Sequence, residues 1–181
     1  MSITARTVAY LLTKEGLVPE AYLDDGGIWT FAGGIAATSG LDVIQYKDNP
    51  QPLEFCLRET VNLITTRFFP SVIKAFGGRN LTENEMAGAL SFHWRNGSIL
   101  TAQWVKDWLE GKPSTAAADF MQWTNHGKQI DRATSDRDLF FNGLWPASLL
   151  VSVYRVDKPS YKPGGSTLTD VMPALLEILG L

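Results

Sequence analysis

The sequence predicts an α+β fold that is mostly helical, and three observations predict it. A helix-periodic run near the start gives way within a few residues to a Gly-rich, β-prone stretch, Glu15 to Ile35. From Pro52 onward, apolar residues recur at helical spacing in one segment after another. Apolar content of 45% over 181 residues is that of one globular domain with a real core.

The first helix carries Val8, Leu11, Leu12 and Glu15 on one face, and Pro19 is expected to stop it. Acidic residues, two glycines and the patch Trp29-Thr30-Phe31 follow, which reads as a hairpin. A carboxylate therefore sits on a helix end, a second on a loop nine positions later, and a hydroxyl six beyond that. A helix end, a loop and a hairpin can bring the three together.

Glycosidic bond cleavage uses this inventory. One carboxyl protonates the leaving oxygen, and a second group steadies the oxocarbenium charge and positions water. Glu15, at the C-terminal end of a helix, lies near the negative dipole end, which favours the protonated acid. Asp24 lies in a polar loop that suits a carboxylate, so the two environments push the pair apart. Thr30 could hold the attacking water. Its Trp-Thr-Phe context equally fits a β-branched strand residue.

This stretch resembles the active-site region of the T4-type phage lysozymes, glycoside hydrolase family 24. Glu15, eight residues, Asp24, five residues, Thr30 reproduces both intervals of that family's Glu, Asp and Thr. The flanks agree as well: Glu15-Gly16-Leu17, Ala21-Tyr22 before Asp24, and Gly27-Ile28-Trp29-Thr30. One departure is visible. The family usually carries a Gly-x-Gly-His segment after the Thr, and here Ala32-Gly33-Gly34-Ile35 puts Ile35 in the histidine's place.

The resemblance implies a lysozyme-like, two-lobed domain over 1–181. A hairpin lobe at about 16–50 would face a cleft, with a helical lobe at about 52–145 and an extra C-terminal segment, 146–181. It implies catalytic Glu15, Asp24 and Thr30, no cofactor and no metal. The activity implied is cleavage of the β-1,4 bond between N-acetylmuramic acid and N-acetylglucosamine in peptidoglycan glycan strands, with bacterial lysis as the result. Two alternatives are a lytic transglycosylase, which needs one Glu and leaves an anhydro product, and a non-catalytic protein that binds glycan or a protein partner. Asp24 and Thr30 favour hydrolysis over the first. The altered segment at Ile35 and a histidine at position 93 keep the second open.

The remaining elements follow in order. Residues 36–51 are polar and irregular. Leu53, Cys56, Leu57, Val61 and Ile64 form a helical stripe behind Pro52, interrupted at Pro70, and a second piece ends at Gly77-Gly78. Thr82-Glu83-Asn84-Glu85 reads as a capping box opening a helix over about 83–93. That helix ends in Phe92-His93-Trp94-Arg95-Asn96-Gly97, where the family has a cleft-lining Phe-Asn-x-Gly-x-Gly segment. The resemblance makes Phe92 and Gly97 substrate-binding candidates; Trp94 beside them could stack on the apolar face of a sugar, with core packing as the alternative. His93 reads as a structural residue, since neither histidine has metal-ligand spacing. Residues 99–110 form an amphipathic helix whose Trp104 and Trp108 belong to the core. Ser114 or Thr115 caps the next helix. Arg132 to Gly143 resembles the family's Arg-rich helix. There Arg132 or Arg137 could contact peptide or carbohydrate, Arg137 being the substrate-binding candidate, and a surface ion pair fits as well.

Beyond Trp145 the resemblance fades. Leu149 to Val153 suits helix or strand, Lys158 to Ser166 reads as a loop or linker, and Leu168 to Leu181 as a helix.

Net charge of −3 and a pI near 5.4 argue against nucleic acid as partner. Cys56 is the only cysteine, so no intramolecular disulfide forms, and burial as an inert thiol is expected. No targeting segment or apolar run of membrane-spanning length is visible. The expectation is a monomer without stable membrane insertion. It would stay in the host cytoplasm until a holin-type pore protein opens a route to the wall.

Overall fold

The computed structural model describes residues 2–181. The chain divides into two compact units. One comprises the chain up to Thr7 together with Thr65–Ala147, and the other comprises Val8–Ile64 together with Ser148–Leu181. The architecture is α+β and mostly helical, with two small antiparallel sheets.

The second unit holds the Glu15 stretch. Helix α1 (Ala5–Glu15) buries Val8, Leu11 and Leu12, as its periodicity predicts. It ends at Glu15, as expected, but Pro19 is not what stops it. Gly16 takes a left-handed φ of +70° and its N–H reaches the Leu12 carbonyl at 2.8 Å. Glycine adopts that conformation without the Cβ clash other residues meet. Pro19 instead lies inside strand β1 (Val18–Leu23). Strands β2 (Trp29–Ala32) and β3 (Ile35–Ala36) complete a sheet in the order β1-β2-β3.

The hairpin expected around Trp29 is therefore present, and its register matters. Tyr22 lies opposite Thr30, so both side chains emerge on one face of the sheet. The other face buries Phe31, stacked on Tyr46 at 4.1 Å between ring centroids. Gly33 is needed where the sheet meets the helices. A Cβ there would sit 2.7 Å from Leu12 and 3.0 Å from Thr60. Ile35, standing where the family carries histidine, is 2% exposed and serves the apolar core.

Helix α2 (Leu53–Leu63) runs into one wide π turn, Ile64–Phe68, and then α3 (Phe69–Ala75). The π turn lies just ahead of Pro70. It opens the helix where proline offers no N–H and its ring would strike the carbonyl four residues back. Cys56 on α2 is buried, and burial pushes its thiol up to about 12. It is inert as a nucleophile at neutral pH.

Of the loop or linker expected at 158–166, residues 158–161 are a turn, but 162–166 are strand. Strands β4 (Val151–Asp157) and β5 (Lys162–Thr169) form an antiparallel pair, followed by α8 (Met172–Leu179). Pro163 and the two glycines after it suggested a loop. In a two-stranded sheet, proline is tolerated on a strand whose outer edge needs no ladder donor. Gly164 also leaves room for the Asp157 carboxylate, which a Cβ would meet at 2.3 Å.

The other unit is helical. Helix α4 (Glu83–Asn96) opens with the expected capping box between Thr82 and Glu85 and ends at left-handed Gly97. Helices α5 (Gln103–Leu109), α6 (Pro113–Phe120) and α7 (Ile130–Asn142) follow. Helix α6 starts at Pro113 with Lys112 at the cap position, ahead of the Ser114 or Thr115 expected there. Trp104 is fully buried at the centre, in ring contact with Phe76, Phe92, Phe120 and Phe140. No helix is long and apolar enough to cross a membrane among the described residues.

Candidate active site

Glu15, Asp24 and Thr30 all fall in the second unit, each placed by a different piece of local structure. Glu15 is the last residue of α1. The turn from β1 to β2 carries Asp24. Its Oδ1 accepts the Ile28 N–H at 2.8 Å, and its backbone N–H donates to the Ile28 carbonyl at 3.0 Å. The Asp24 carboxylate thus closes its own turn, as Asp does in tight loops. Thr30 lies on β2, 3% exposed, with its hydroxyl donating to the Ile28 carbonyl at 3.1 Å. Ile28 is the shared partner: its N–H donates to the Asp24 carboxylate, and its carbonyl accepts from both the Asp24 N–H and the Thr30 hydroxyl.

A cavity of about 580 Å³ opens here, lined by Glu15, Val18, Tyr22, Asp25, Tyr154, Lys162 and Pro163. Tyr22 reports what surrounds it. Burial, and then the charges of Glu15, Asp24 and Asp25, push its phenol well above the ordinary 10. Tyr22 is therefore a neutral hydroxyl facing three carboxylates, able to donate a hydrogen bond but not to act as a base. Asp25 lines the cavity, whereas Asp24 is engaged with the turn.

Sequence reasoning did not single out Tyr154 or Lys162. Both come from the C-terminal hairpin. Tyr154 lies in a run of alternating β-branched residues, which signals a strand but not a site. Nothing in the Tyr161-Lys162-Pro163 stretch marks its lysine.

The substrate-binding candidates lie in the helical unit and have different surroundings. Phe92 is fully buried, against Trp104, Phe120 and Trp123, so its ring offers no face to a sugar in this structure. The alternation of aromatic residues on α4 explains this, because position 92 turns inward. Trp94 is half-buried, its ring 4.5 Å from that of Phe68. Gly97 lines a cavity of about 260 Å³ with Arg67, Phe68, Ser71 and His93. Burial holds the His93 imidazole below its ordinary 6.5, so it is neutral at pH 7. Arg137 is held by its neighbour Asp138, with Nε and Nη2 donating to one carboxylate oxygen at 2.9 and 2.6 Å. A larger cavity, about 520 Å³, is lined by polar side chains of Arg95, Gln122, Asn125 and Gln129, with Trp123 as its aromatic wall. Among the described residues no group of three His, Cys, Asp or Glu could hold a metal ion.

Solved structures that share this fold include three lysozyme-type proteins. An endolysin from Escherichia coli O157:H7 phage FAHEc1 matches with a TM-score of 0.63 at 19% identity, covering 81% of this chain and 97% of that one. The muramidase domain of SpmX from Asticaccaulis excentricus gives 0.62 at 19%, covering 80% and 99%. A P22 lysozyme mutant gives 0.62 at 20%, covering 78% and 99%. No curated protein matches the chain in sequence. The fold is thus that of lysozyme-type enzymes. The phage lysozyme family matches residues 13–137, most of the chain, and the chain belongs to that family. It is a glycoside hydrolase of the peptidoglycan-cleaving class.

Proposed function

We propose that the protein is an endolysin that hydrolyses the β-1,4 bond between N-acetylmuramic acid and N-acetylglucosamine, and so lyses the bacterial wall. The observation that carries this reading is the Glu15, Asp24, Thr30 spacing inside the span matched by the family, with Glu15 on a cavity beside the Tyr22–Thr30 face. Glu15 is the general acid that protonates the departing glycosidic oxygen. Asp24 is the charged partner that steadies the oxocarbenium ion. Thr30 positions the water that attacks the anomeric carbon, its oxygen keeping lone pairs for the water's protons while its own proton goes to Ile28. This assignment is a direct displacement, in which water occupies the space between carboxylate and sugar.

Mass spectra of digested peptidoglycan test the reading. Reducing N-acetylmuramic acid ends support it, anhydro ends make the protein a transglycosylase, and an absence of fragments makes it a binder. Glu15→Gln tests the acid. The amide is nearly isosteric but has no proton to give. Turnover is expected to fall at least about 1000-fold, within the usual range for a positioned acid, while circular dichroism and thermal midpoint stay those of the wild type. A folded Glu15→Gln protein of near-normal activity would remove Glu15 from that role.

A further inference from the structure

The hairpin β4–β5 lies beyond the family-matched span, residues 13–137, yet it is fastened to both ends of the strand that separates Glu15 from Asp24. At the Glu15 end, Leu17 N–H donates to the Ser152 carbonyl at 2.9 Å, and Tyr154 N–H donates to the Leu17 carbonyl at 2.8 Å. The Tyr154 ring packs so closely on Gly16 that a Cβ there would lie 2.6 Å from it. At the Asp24 end, Leu23 N–H donates to the Tyr161 carbonyl at 2.7 Å, and the Lys162 ammonium donates to the backbone carbonyl of Asp24. Tyr161 also meets Trp29 edge to face at 5.2 Å. Lys158 adds ion pairs to Glu20 on β1 and to Asp48.

From this we infer that the C-terminal hairpin sets the spacing between the two acidic groups of the active site, with Lys162 as a positioning residue for Asp24. The inference rests on the hydrolase reading above. The turn that carries Asp24 is five residues long and rich in glycine, so its own bonds leave it soft. A charge-assisted bond from Lys162 to the Asp24 carbonyl anchors the residue whose carboxylate must meet the developing charge. Lys162 also lines the cavity with Glu15, Tyr22 and Asp25, so the anchor of the Asp24 turn and the cavity wall share one side chain. Chemistry is sensitive to such anchoring, because a displacement of about 1 Å can cost on the order of 100-fold in rate.

The test uses the full chain with Lys162→Met, Lys162→Gln and Lys162→Arg, assayed on soluble peptide-bearing glycan strands of peptidoglycan. The expected result for Lys162→Met is a kcat about 10- to 100-fold lower, KM within about twofold of wild type and an unchanged thermal midpoint. Lys162→Arg, which keeps a cationic donor, should restore most of kcat. Lys162→Gln, a neutral donor, should fall between them and serves in place of Met if that variant does not fold. Wild-type kcat in a folded Met or Gln variant overturns the inference. So does a raised KM at constant kcat, which would make Lys162 a glycan-binding group and not a positioning one. A wild-type protein that releases no reducing ends overturns the hydrolase reading itself, so the two failures are distinguishable.

Discussion

Asp24 and Asp25 are adjacent and chemically identical, and only their surroundings tell them apart. The family interval selects Asp24. The structure gives Asp24 a bond to the Ile28 N–H and puts Asp25 on the cavity wall. Asp24→Asn keeps an acceptor for Ile28 and removes only the charge, so the turn should survive while kcat falls at least about 100-fold, as for loss of a preorganised electrostatic group. Asp25→Asn should lose less than about fivefold on the same assay; a larger loss from Asp25 than from Asp24 would reverse the assignment. Thr30 poses the matching question for a hydroxyl. Thr30→Val keeps the β-branched shape and should cost about 1 kcal/mol of stability for the lost bond to Ile28, readable as a shift in urea midpoint. If the hydroxyl holds water, turnover falls well beyond what that shift explains. Undiminished hydrolysis would leave Thr30 as a strand residue only. At this scale spacing singles out candidates, Glu15, Asp24 and Thr30, and says nothing of burial. Phe92 fits the family's cleft segment by position, but the inward face of α4 takes its ring into the Trp104 cluster. No residue-type pattern distinguishes those two outcomes, because both call for an aromatic.

Elements show the same division. The capping box at Thr82 and the hairpin around Trp29 were readable because local bonds determine them. Glu15 is the helix end, as expected, but left-handed Gly16 stops α1 before Pro19 is reached. Residues 158–161 are the turn that Pro159 signals, but 162–166 read as more of the same loop because Pro163, Gly164 and Gly165 disfavour strands locally. Pairing with β4 overrides that preference, and such pairing is a tertiary fact. Gly88 offers a test of packing against propensity. It sits mid-helix in α4, where alanine would normally add up to about 1 kcal/mol. A Cβ at 88 would lie 2.8 Å from the Phe140 Cβ and 2.9 Å from the Asp136 carbonyl on α7. Neither can swing aside, since both belong to or adjoin the backbone. Overpacking of that kind costs about 1–3 kcal/mol. Gly88→Ala should therefore lower the denaturation midpoint at constant m-value; a rise would mean that the two helices separate freely.

Charge acts on the whole molecule. The chain carries a net −3, and the cavity at Glu15 does not reverse the sign, since Lys162 is the one cation among its lining residues, against Glu15 and Asp25. Bacterial walls are themselves anionic, so long-range fields oppose the encounter slightly and do not drive it. Those fields extend about 30 Å at 0.01 M salt and about 8 Å at 0.15 M. Salt should therefore relieve a weak repulsion. Clearing of intact walls is expected to rise by up to about twofold over that range. Hydrolysis of short soluble fragments, which carry little field of their own, should stay flat. Running both substrates at each ionic strength separates encounter from chemistry. If wall clearing instead drops steeply as salt is added, a basic face must dominate approach to the wall in spite of the net charge.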